Sequence, residues 1–254
     1  MTDTSGSSFQ LAYQRLLALE RFKSGFLART SHELRSPINT IVSLHQLILE
    51  DLCESSEEEK EFIAQSKDAA LKMLALFDQI TAVSKLDIGR EPARLEAVDL
   101  SFLLPEVEML TTLQAANQNV RYTVAAPTDE LAVTTDAKWL KNILASLIQD
   151  VIAYTKMLRL AVEKSEDAIA IVVECDRAAT ELQTELDRIA DAAVSLPAAD
   201  PVTDSILPIE SIQLSTGLIL AMAHTALPLI GGVFTISPYP NSDDRSCLRC
   251  EFPR

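Results

Sequence analysis

Three histidines occur in the 254 residues, and one of them, His32, lies beside a carboxylate in a short basic segment. Glu33 follows it directly, and Arg35 and Ser36 lie three and four positions further along, where a helix would bring them to roughly the same face as His32. An imidazole with an ordinary pKa of about 6.5 is partly neutral and nucleophilic near neutral pH. Glu33 could accept the proton from one ring nitrogen while the other attacks phosphorus. The segment therefore predicts a nucleophilic histidine with an acid–base partner.

The charge and backbone around His32 also differ from those of the rest of the chain. Residues 21–35 carry a local net charge of +3, whereas the whole chain has a formal net charge of −15. Such a segment would attract a phosphoryl group or an acidic partner. Pro37 removes the backbone donor to the Glu33 carbonyl, at a cost of about 3 kcal/mol inside a helix, so we expect the helix to bend just after His32.

The composition limits the class of protein. Hydrophobic residues make up 48% and charged residues 23%, as in a packed globular chain of one or two domains. The excess of acid disfavours binding to nucleic acid or to an anionic membrane. Four cysteines and no secretory leader predict a reduced, cytoplasmic protein. Cys247 and Cys250 form a lone CxxC pair, which does not predict a metal site because zinc needs about four ligands.

The N-terminal third reads as a helical hairpin. A helix is predicted from about Phe9 to Leu52, and a second one from the capping signal at Ser55 and Ser56 to about Asp87. The first helix carries a heptad seam formed by Leu27, Leu34, Ile38, Ile41, His45, Ile48 and Leu52. Because two helices alone cannot bury this apolar face, we expect two copies to pair into a dimeric four-helix bundle, the alternative being packing against the rest of the same chain.

The remainder reads as an α+β sandwich after a linker at residues 93–99. Helices are predicted at 100–117, 136–155 and 184–194, and strands at 120–125, 131–134, 157–162, 168–175, 233–237 and 246–252. Antiparallel strands with helices on one face are expected. The uncharged stretch 214–234 contains glycines and a proline, and it predicts a buried helix ending near Pro228, a Gly-Gly turn and a strand from Val233, not a membrane span. His45, His224 and Trp139 are predicted to be core residues.

The sequence therefore predicts two domains, residues 1–92 and residues 93–254.

Ser31-His-Glu-Leu-Arg-Ser-Pro-Ile38 closely resembles the H-box of the sensor histidine kinases of two-component systems, and the resemblance extends over about residues 15–92. It implies a dimeric hairpin on which His32 accepts phosphate, followed by an ATP-binding α/β sandwich. It also implies that Glu33 is the acid–base partner. Ser36 lies where many members have Thr or Asn, which position the water that dephosphorylates the partner protein.

The second half resembles the ATP-binding domain of that family, with changes at its working positions. Residues 136–155 follow the N-box, but Asp150 replaces the Mg²⁺-binding Asn, and Ser146 and Ala153 replace a second Asn and a Lys. Asp176 retains the position of the adenine-binding Asp, and Gly217 retains one glycine of the second glycine box. Other glycine-box positions have lost their glycine, namely Ala178, Thr180 and Ile219.

These replacements predict impaired ATP binding. Glycines in phosphate loops permit positive φ and close approach of the backbone, which other residues resist. If three lost contacts are each worth about 1–3 kcal/mol, affinity falls by about a hundredfold or more. We therefore expect no cofactor, and ATP with Mg²⁺ only if the degenerate site of Asp150, Asp176 and Gly217 still binds it.

The resemblance and the residues together favour a phosphotransfer protein. His32 would exchange phosphate with the receiver domain of a response regulator, and another histidine kinase could supply the phosphate. Two alternatives remain open: an active ATP-dependent autokinase with divergent nucleotide boxes, and a non-catalytic pseudokinase scaffold.

Overall fold

The computed structural model describes residues 30–31, 33–87, 93–127, 131–191 and 215–254. His32, Leu27 and the predicted start of the first helix at Phe9 lie outside the described residues. Those that are described fall into two compact units. The first holds the described parts of Met1–Ile80 and Asp187–Leu218, and the second those of Thr81–Leu186 and Ile219–Arg254.

The hairpin consists of helix α1, described at residues 30–31 and 33–49, and helix α2, Ser56–Asp87. The start of α2 has the predicted capping pattern. The Ser55 hydroxyl accepts the Glu58 backbone N–H (3.2 Å), and the Glu58 carboxylate accepts the backbone N–H of Glu54 (2.5 Å). Three glutamates in the first turn of α2 also complement the helix dipole.

His45 links the two helices instead of lying in the core. Its Nε2 lies 3.0 Å from the hydroxyl of Ser66, which is buried on α2, whereas the His45 side chain itself is exposed. The core prediction is therefore wrong, because the imidazole bonds across the edge of the helix pair. Leu44 and Ala69 are buried in the hairpin. Many of its large apolar side chains are exposed in the single chain: Ile38, Val42, Leu49, Leu52, Ile63, Leu71, Leu74 and Phe77.

The second unit contains two sheets. Strands β1 (Glu96–Asp99) and β3 (Ala132–Thr135) form an antiparallel pair. The other five strands form a mixed sheet in the order β2-β4-β5-β7-β6. Their bounds are Arg121–Ala125 for β2, Met157–Lys164 for β4, Ala168–Cys175 for β5, Val233–Tyr239 for β6 and Ser242–Pro253 for β7. Strand β2 runs parallel to β4, so the prediction of purely antiparallel strands is wrong at this edge. Strand β1 lies in what the sequence predicted to be a linker.

The described residues also form four further helices: α3 (Leu100–Asn117), α4 (Ala137–Ile152), α5 (Ala179–Asp191) and α6 (Thr216–Leu229). Aspartates cap two of them, because Asp99 accepts the N–H of Ser101 (2.8 Å) and Asp136 accepts the N–H of Trp139 (3.1 Å). Trp139 is half-buried, not core, because it lies in the first turn of α4 beside its capping residue. Helix α5 begins five residues earlier than predicted.

The connection from α6 to β6 follows the prediction. Pro228 lies in the last turn of α6, and Gly231 adopts a φ of 87° in the turn before β6. Gly232 is buried so tightly that an added Cβ would lie 2.8 Å from Cε1 of Phe252. None of the described helices combines the length and apolar character needed to cross a bilayer.

Candidate functional site

The described part of the H-box segment lies on α1. Glu33 is half-buried, and its Oε2 accepts a hydrogen bond from the backbone N–H of Ser215 (3.3 Å). Arg35 is exposed and Ser36 is half-buried. Helix α1 continues through the buried Pro37, and the bend expected there stays a prediction. The predicted role of His32 likewise stays a prediction, because this residue lies outside the described ones.

Asp150 and Ser146 both lie on α4, one turn apart. Asp150 is buried, with an exposed fraction of 8%, and Ser146 is half-buried. Ala153 is the exposed C-cap residue of α4. The residues next to Asp150 along α4 include buried apolar ones such as Val151. The described residues include no group of three or more His, Cys, Asp or Glu that could hold a metal ion, so the structure surrounds Asp150 with no such cluster.

Both carboxylate oxygens of Asp176 have partners within the protein. Oδ2 accepts the backbone N–H of Met157 (2.9 Å), and Oδ1 lies 3.4 Å from Nε of Arg245. The backbone N–H of Asp176 donates to the hydroxyl of Thr155 (3.1 Å), which in turn donates to the Met157 carbonyl (2.8 Å). These bonds tie the residue after β5 to the beginning of β4 and to β7. The Met157 bond takes one of about four acceptor sites of the carboxylate, and Nε of Arg245 contacts it as an ion pair without a hydrogen bond.

Arg245 is the centre of a larger cluster of charges. Its guanidinium lies 4.0 Å from the ring centroid of Tyr239, a cation–π contact. It also lies 3.8 Å from Glu174, which is buried and pairs with Arg159 at 2.6 Å. Sequence reasoning missed these residues. Register alone brings Glu174 opposite Arg159, so no spacing within one strand could have revealed the pair.

The first glycine-box positions run directly into a helix. The Ala178 carbonyl accepts the N–H groups of Glu181 (3.2 Å) and Leu182 (3.3 Å), and Thr180 lies in the first turn of α5. Among the described residues, positive φ is found only at Asp51, Asn119, Asn241 and Gly231. Ala178 and Thr180 therefore adopt ordinary backbone conformations, and no glycine is needed where they lie.

The second glycine-box positions form the beginning of α6. Ser215 caps this helix, because its carbonyl accepts the N–H of Leu218 (2.9 Å) and its hydroxyl lies 3.4 Å from the same nitrogen. Gly217 and Ile219 are both buried within α6.

His224 lies on the exposed side of α6, so its prediction as a core residue is wrong. It lines a cavity of about 240 Å³ with Gln183, Leu186, Phe234, Thr235 and Ile236. Partial desolvation in this recess lowers the pKa of its imidazole, which favours the neutral form.

Comparison with known proteins tests the resemblance that was found in the sequence. Residues 22–89 match the model of the His Kinase A (phospho-acceptor) domain. The aerobic respiration control sensor protein ArcB of Escherichia coli is 29% identical over 166 residues, 65% of this chain and 21% of ArcB. Histidine kinase 1 of Arabidopsis thaliana is 31% identical over 146 residues, 57% of this chain and 12% of that protein. The resemblance of the chain to the sensor histidine kinases of two-component systems is confirmed.

Solved structures of histidine kinases have the same fold. The histidine kinase AdeS of Acinetobacter baumannii superposes with a TM-score of 0.61 at 16% identity, covering 87% of this chain and 97% of that one. Histidine kinase ThkA, solved in complex with the response regulator protein TrrA, superposes with a TM-score of 0.59 at 15% identity, covering 100% of this chain and 68% of that one. The predicted architecture, a helical hairpin followed by an α/β sandwich, is confirmed. The matched part of this chain spans 21% of the length of ArcB and 12% of that of histidine kinase 1.

Proposed function

We propose that this histidine kinase is a phosphotransfer module that uses ATP poorly. In this proposal His32 accepts phosphate from, and returns it to, the receiver domain of a response regulator, with Glu33 as its acid–base partner. The observation that supports it best is the environment of Asp176, whose Oδ2 accepts the N–H of Met157 and whose Oδ1 forms an ion pair with Arg245. The group that reads adenine in the family instead holds two strands of the sheet here.

The other nucleotide positions support the same conclusion. Ala178 directly precedes α5 and Thr180 lies in its first turn, so these positions do not form the open loop that cradles phosphates. Asp150 places an acidic side chain at the position of a neutral Mg²⁺ ligand, and its ionised form would repel a triphosphate. The described residues therefore do not fit Mg²⁺-ATP as the family binds it, and no step of the proposed reaction uses it.

Phosphate must then come from another protein. A phosphorylated receiver domain or a second, active histidine kinase would each present phosphate to His32. The complex of ThkA with TrrA is a complex between a histidine kinase and a response regulator, and it supports a receiver domain as the partner class. Arg35 is exposed on α1 and is available to an acidic partner, and Ser36 would affect only hydrolysis of the partner's phosphate.

We also propose that the hairpin dimerises and that the domain boundary lies between residues 92 and 93. Phe77 on α2 and Ile38 on α1 are 55% and 44% exposed in the single chain. Burial of such side chains is worth about 1.5–3 kcal/mol each, and a second hairpin would supply the missing apolar contacts.

The test is transfer from a phosphorylated receiver domain to the purified protein. We expect an acid-labile, base-stable label on wild type and none on His32→Gln. His45→Gln is the matched control, because it changes an exposed histidine of α1 and should retain the label. If no receiver domain or kinase from the same cell labels the protein, the scaffold alternative replaces this proposal. Label from ATP alone would instead favour the autokinase.

A further inference from the structure

A recess of about 240 Å³ lies between helices α5 and α6 and strand β6. Helix α5 contributes Gln183 and Leu186 to its lining, α6 contributes His224, and β6 contributes residues 234–236. All six lining residues belong to the second compact unit, and none of them takes part in the proposed phosphotransfer reaction. The recess is therefore a feature of the sandwich itself.

The recess has an apolar floor, formed by Leu186, Phe234 and Ile236, and a polar rim, formed by Gln183 and His224. Leu186 and Phe234 are only 8% and 5% exposed and Ile236 is half-buried, whereas both rim residues are exposed. Phe234 and Ile236 project from the same face of β6, because side chains alternate along a strand. A molecule that fits here has an apolar body on the floor and a polar group at the rim.

The polar groups around the recess are neutral. Gln183 supplies an amide, and β6, which has only β7 as a neighbour among the described strands, supplies the backbone N–H and C=O groups of a sheet edge. Partial desolvation lowers the pKa of His224 and favours its neutral imidazole, which has one donor and one acceptor nitrogen. None of the six described residues that line the recess is Asp, Glu, Lys or Arg. The recess therefore favours a neutral ligand, because it offers an ion no opposite charge.

The volume of the recess suits a molecule with a single ring. A cavity of about 150 Å³ lined by Leu, Ile and Phe holds benzene, whereas the pockets that take drug-sized ligands measure about 300–1,000 Å³. At about 240 Å³ the recess accommodates one ring with a small substituent. An aromatic ring suits its floor, because aromatic rings pack on a phenylalanine such as Phe234 in offset or edge-to-face arrangements.

We propose that this recess is a binding site for a neutral hydroxyaromatic molecule of about the size of phenol. The ring packs on the floor, and the hydroxyl forms hydrogen bonds with the polar groups of the rim. The bound molecule contacts both α5 and α6, the two helices that begin at the glycine-box positions, and it stabilises the folded sandwich by mass action. The site and its test do not depend on phosphotransfer.

NMR titration of the ¹⁵N-labelled full chain with phenol tests the site. We expect the backbone amide resonances of Gln183, Leu186, His224 and Phe234 to shift together and to saturate with a dissociation constant of about 1 mM, a binding energy per atom within the range of small ligands. Benzoate and benzylammonium, which have the same ring and a negative or a positive charge, should bind at least about tenfold more weakly. No shift of these resonances with phenol at about 20 mM, or equal binding of the charged probes, would overturn the proposal.

A blocking substitution tests the position of the site. Gln183→Trp would fill the opening of the recess from an exposed position of α5, and we expect it to weaken phenol binding at least about tenfold. Thr184→Trp is the matched control, because it adds the same ring at the next exposed position of α5, outside the lining, and should retain the affinity within about twofold. Unchanged affinity of Gln183→Trp would overturn the proposed position. If this variant does not fold, the titration of wild type decides the proposal, because its shifts locate the probe directly.

Discussion

The carboxylate of Asp176 accepts the backbone N–H of Met157 at 2.9 Å, across nineteen residues of sequence. This bond joins the end of β5 to the first residue of β4, and Arg245 from β7 completes the junction at 3.4 Å. Asp176 is the one residue of the first glycine box that matches the family's adenine-binding position. In this chain its contacts are those of a structural residue.

Replacing Asp176 should therefore destabilise the sandwich. Asp176→Asn removes the charge that Arg245 faces and leaves one acceptor oxygen, and we expect the free energy of unfolding to fall by about 1–2 kcal/mol. Asp167→Asn, at an exposed turn, is the matched control and should change it by less than about 0.5 kcal/mol. Chemical denaturation measures both. Equal stability of the two variants would show that Asp176 is not a structural residue.

Substituting the tight glycine before β6 should also lower stability. An added Cβ at Gly232 would meet the ring of Phe252 at 2.8 Å and Leu227 at 3.0 Å, so Gly232→Ala should cost about 1–3 kcal/mol. The double variant with Phe252→Leu should lose less than the sum of the two single changes, because the smaller side chain makes room. Thermal unfolding of the four proteins measures the coupling. Strict additivity would contradict this close contact.

A charge on the exposed face of the hairpin should dissociate the dimer. Phe77→Glu would bury an unpaired carboxylate in the proposed bundle, and we expect the mass from light scattering at tens of micromolar to fall by half. Phe102→Glu is the control, because Phe102 is an exposed aromatic residue on α3 of the sandwich. A wild-type protein that is monomeric at this concentration would refute the proposed dimer.

The four cysteines should differ sharply in reactivity. All are thiols, and burial raises the pKa of Cys247 to about 11 and that of Cys250 to about 12. Their thiolate fractions at pH 8 are therefore about one in a thousand or less, and each grows only as the pH rises towards these values. Cys53, in the loop between α1 and α2, is half-exposed and should be alkylated first. Mass spectrometry of the native protein after brief alkylation checks this order, and modification of Cys250 before Cys53 would contradict the packing of β7.

Local patterns in the sequence predict some elements of this fold to the residue. The bounds of α3 and β5 follow from apolar spacing, and the cap at Ser55 follows from a serine three residues before a glutamate. Strand β1 was missed because four residues of mixed polarity carry no clear alternation. The parallel pairing of β2 with β4 could not be predicted, since strand direction depends on how the chain crosses the sheet and not on local periodicity.

The sequence predicted which residues occupy the positions of the candidate site, but not the contacts that these residues make. The resemblance located the family's nucleotide positions and showed that several are replaced. It could not show that Asp176 is bound by Arg245, since that contact depends on the pairing of β5 with β7. The contact between Glu33 and Ser215 joins residues that are 182 positions apart, and no spacing in the sequence predicts it.

Calorimetric titration with ATP, with and without Mg²⁺, tests the central claim most directly. With Asp176 bonded to Met157 and paired with Arg245, and with the glycines at positions 178, 180 and 219 replaced, we expect a dissociation constant weaker than about 1 mM and no gain from Mg²⁺. Asp150→Asn alone should recover little, because it restores one ligand and neither the glycine turns nor Asp176. A micromolar dissociation constant for Mg²⁺-ATP would contradict the account and favour an active autokinase.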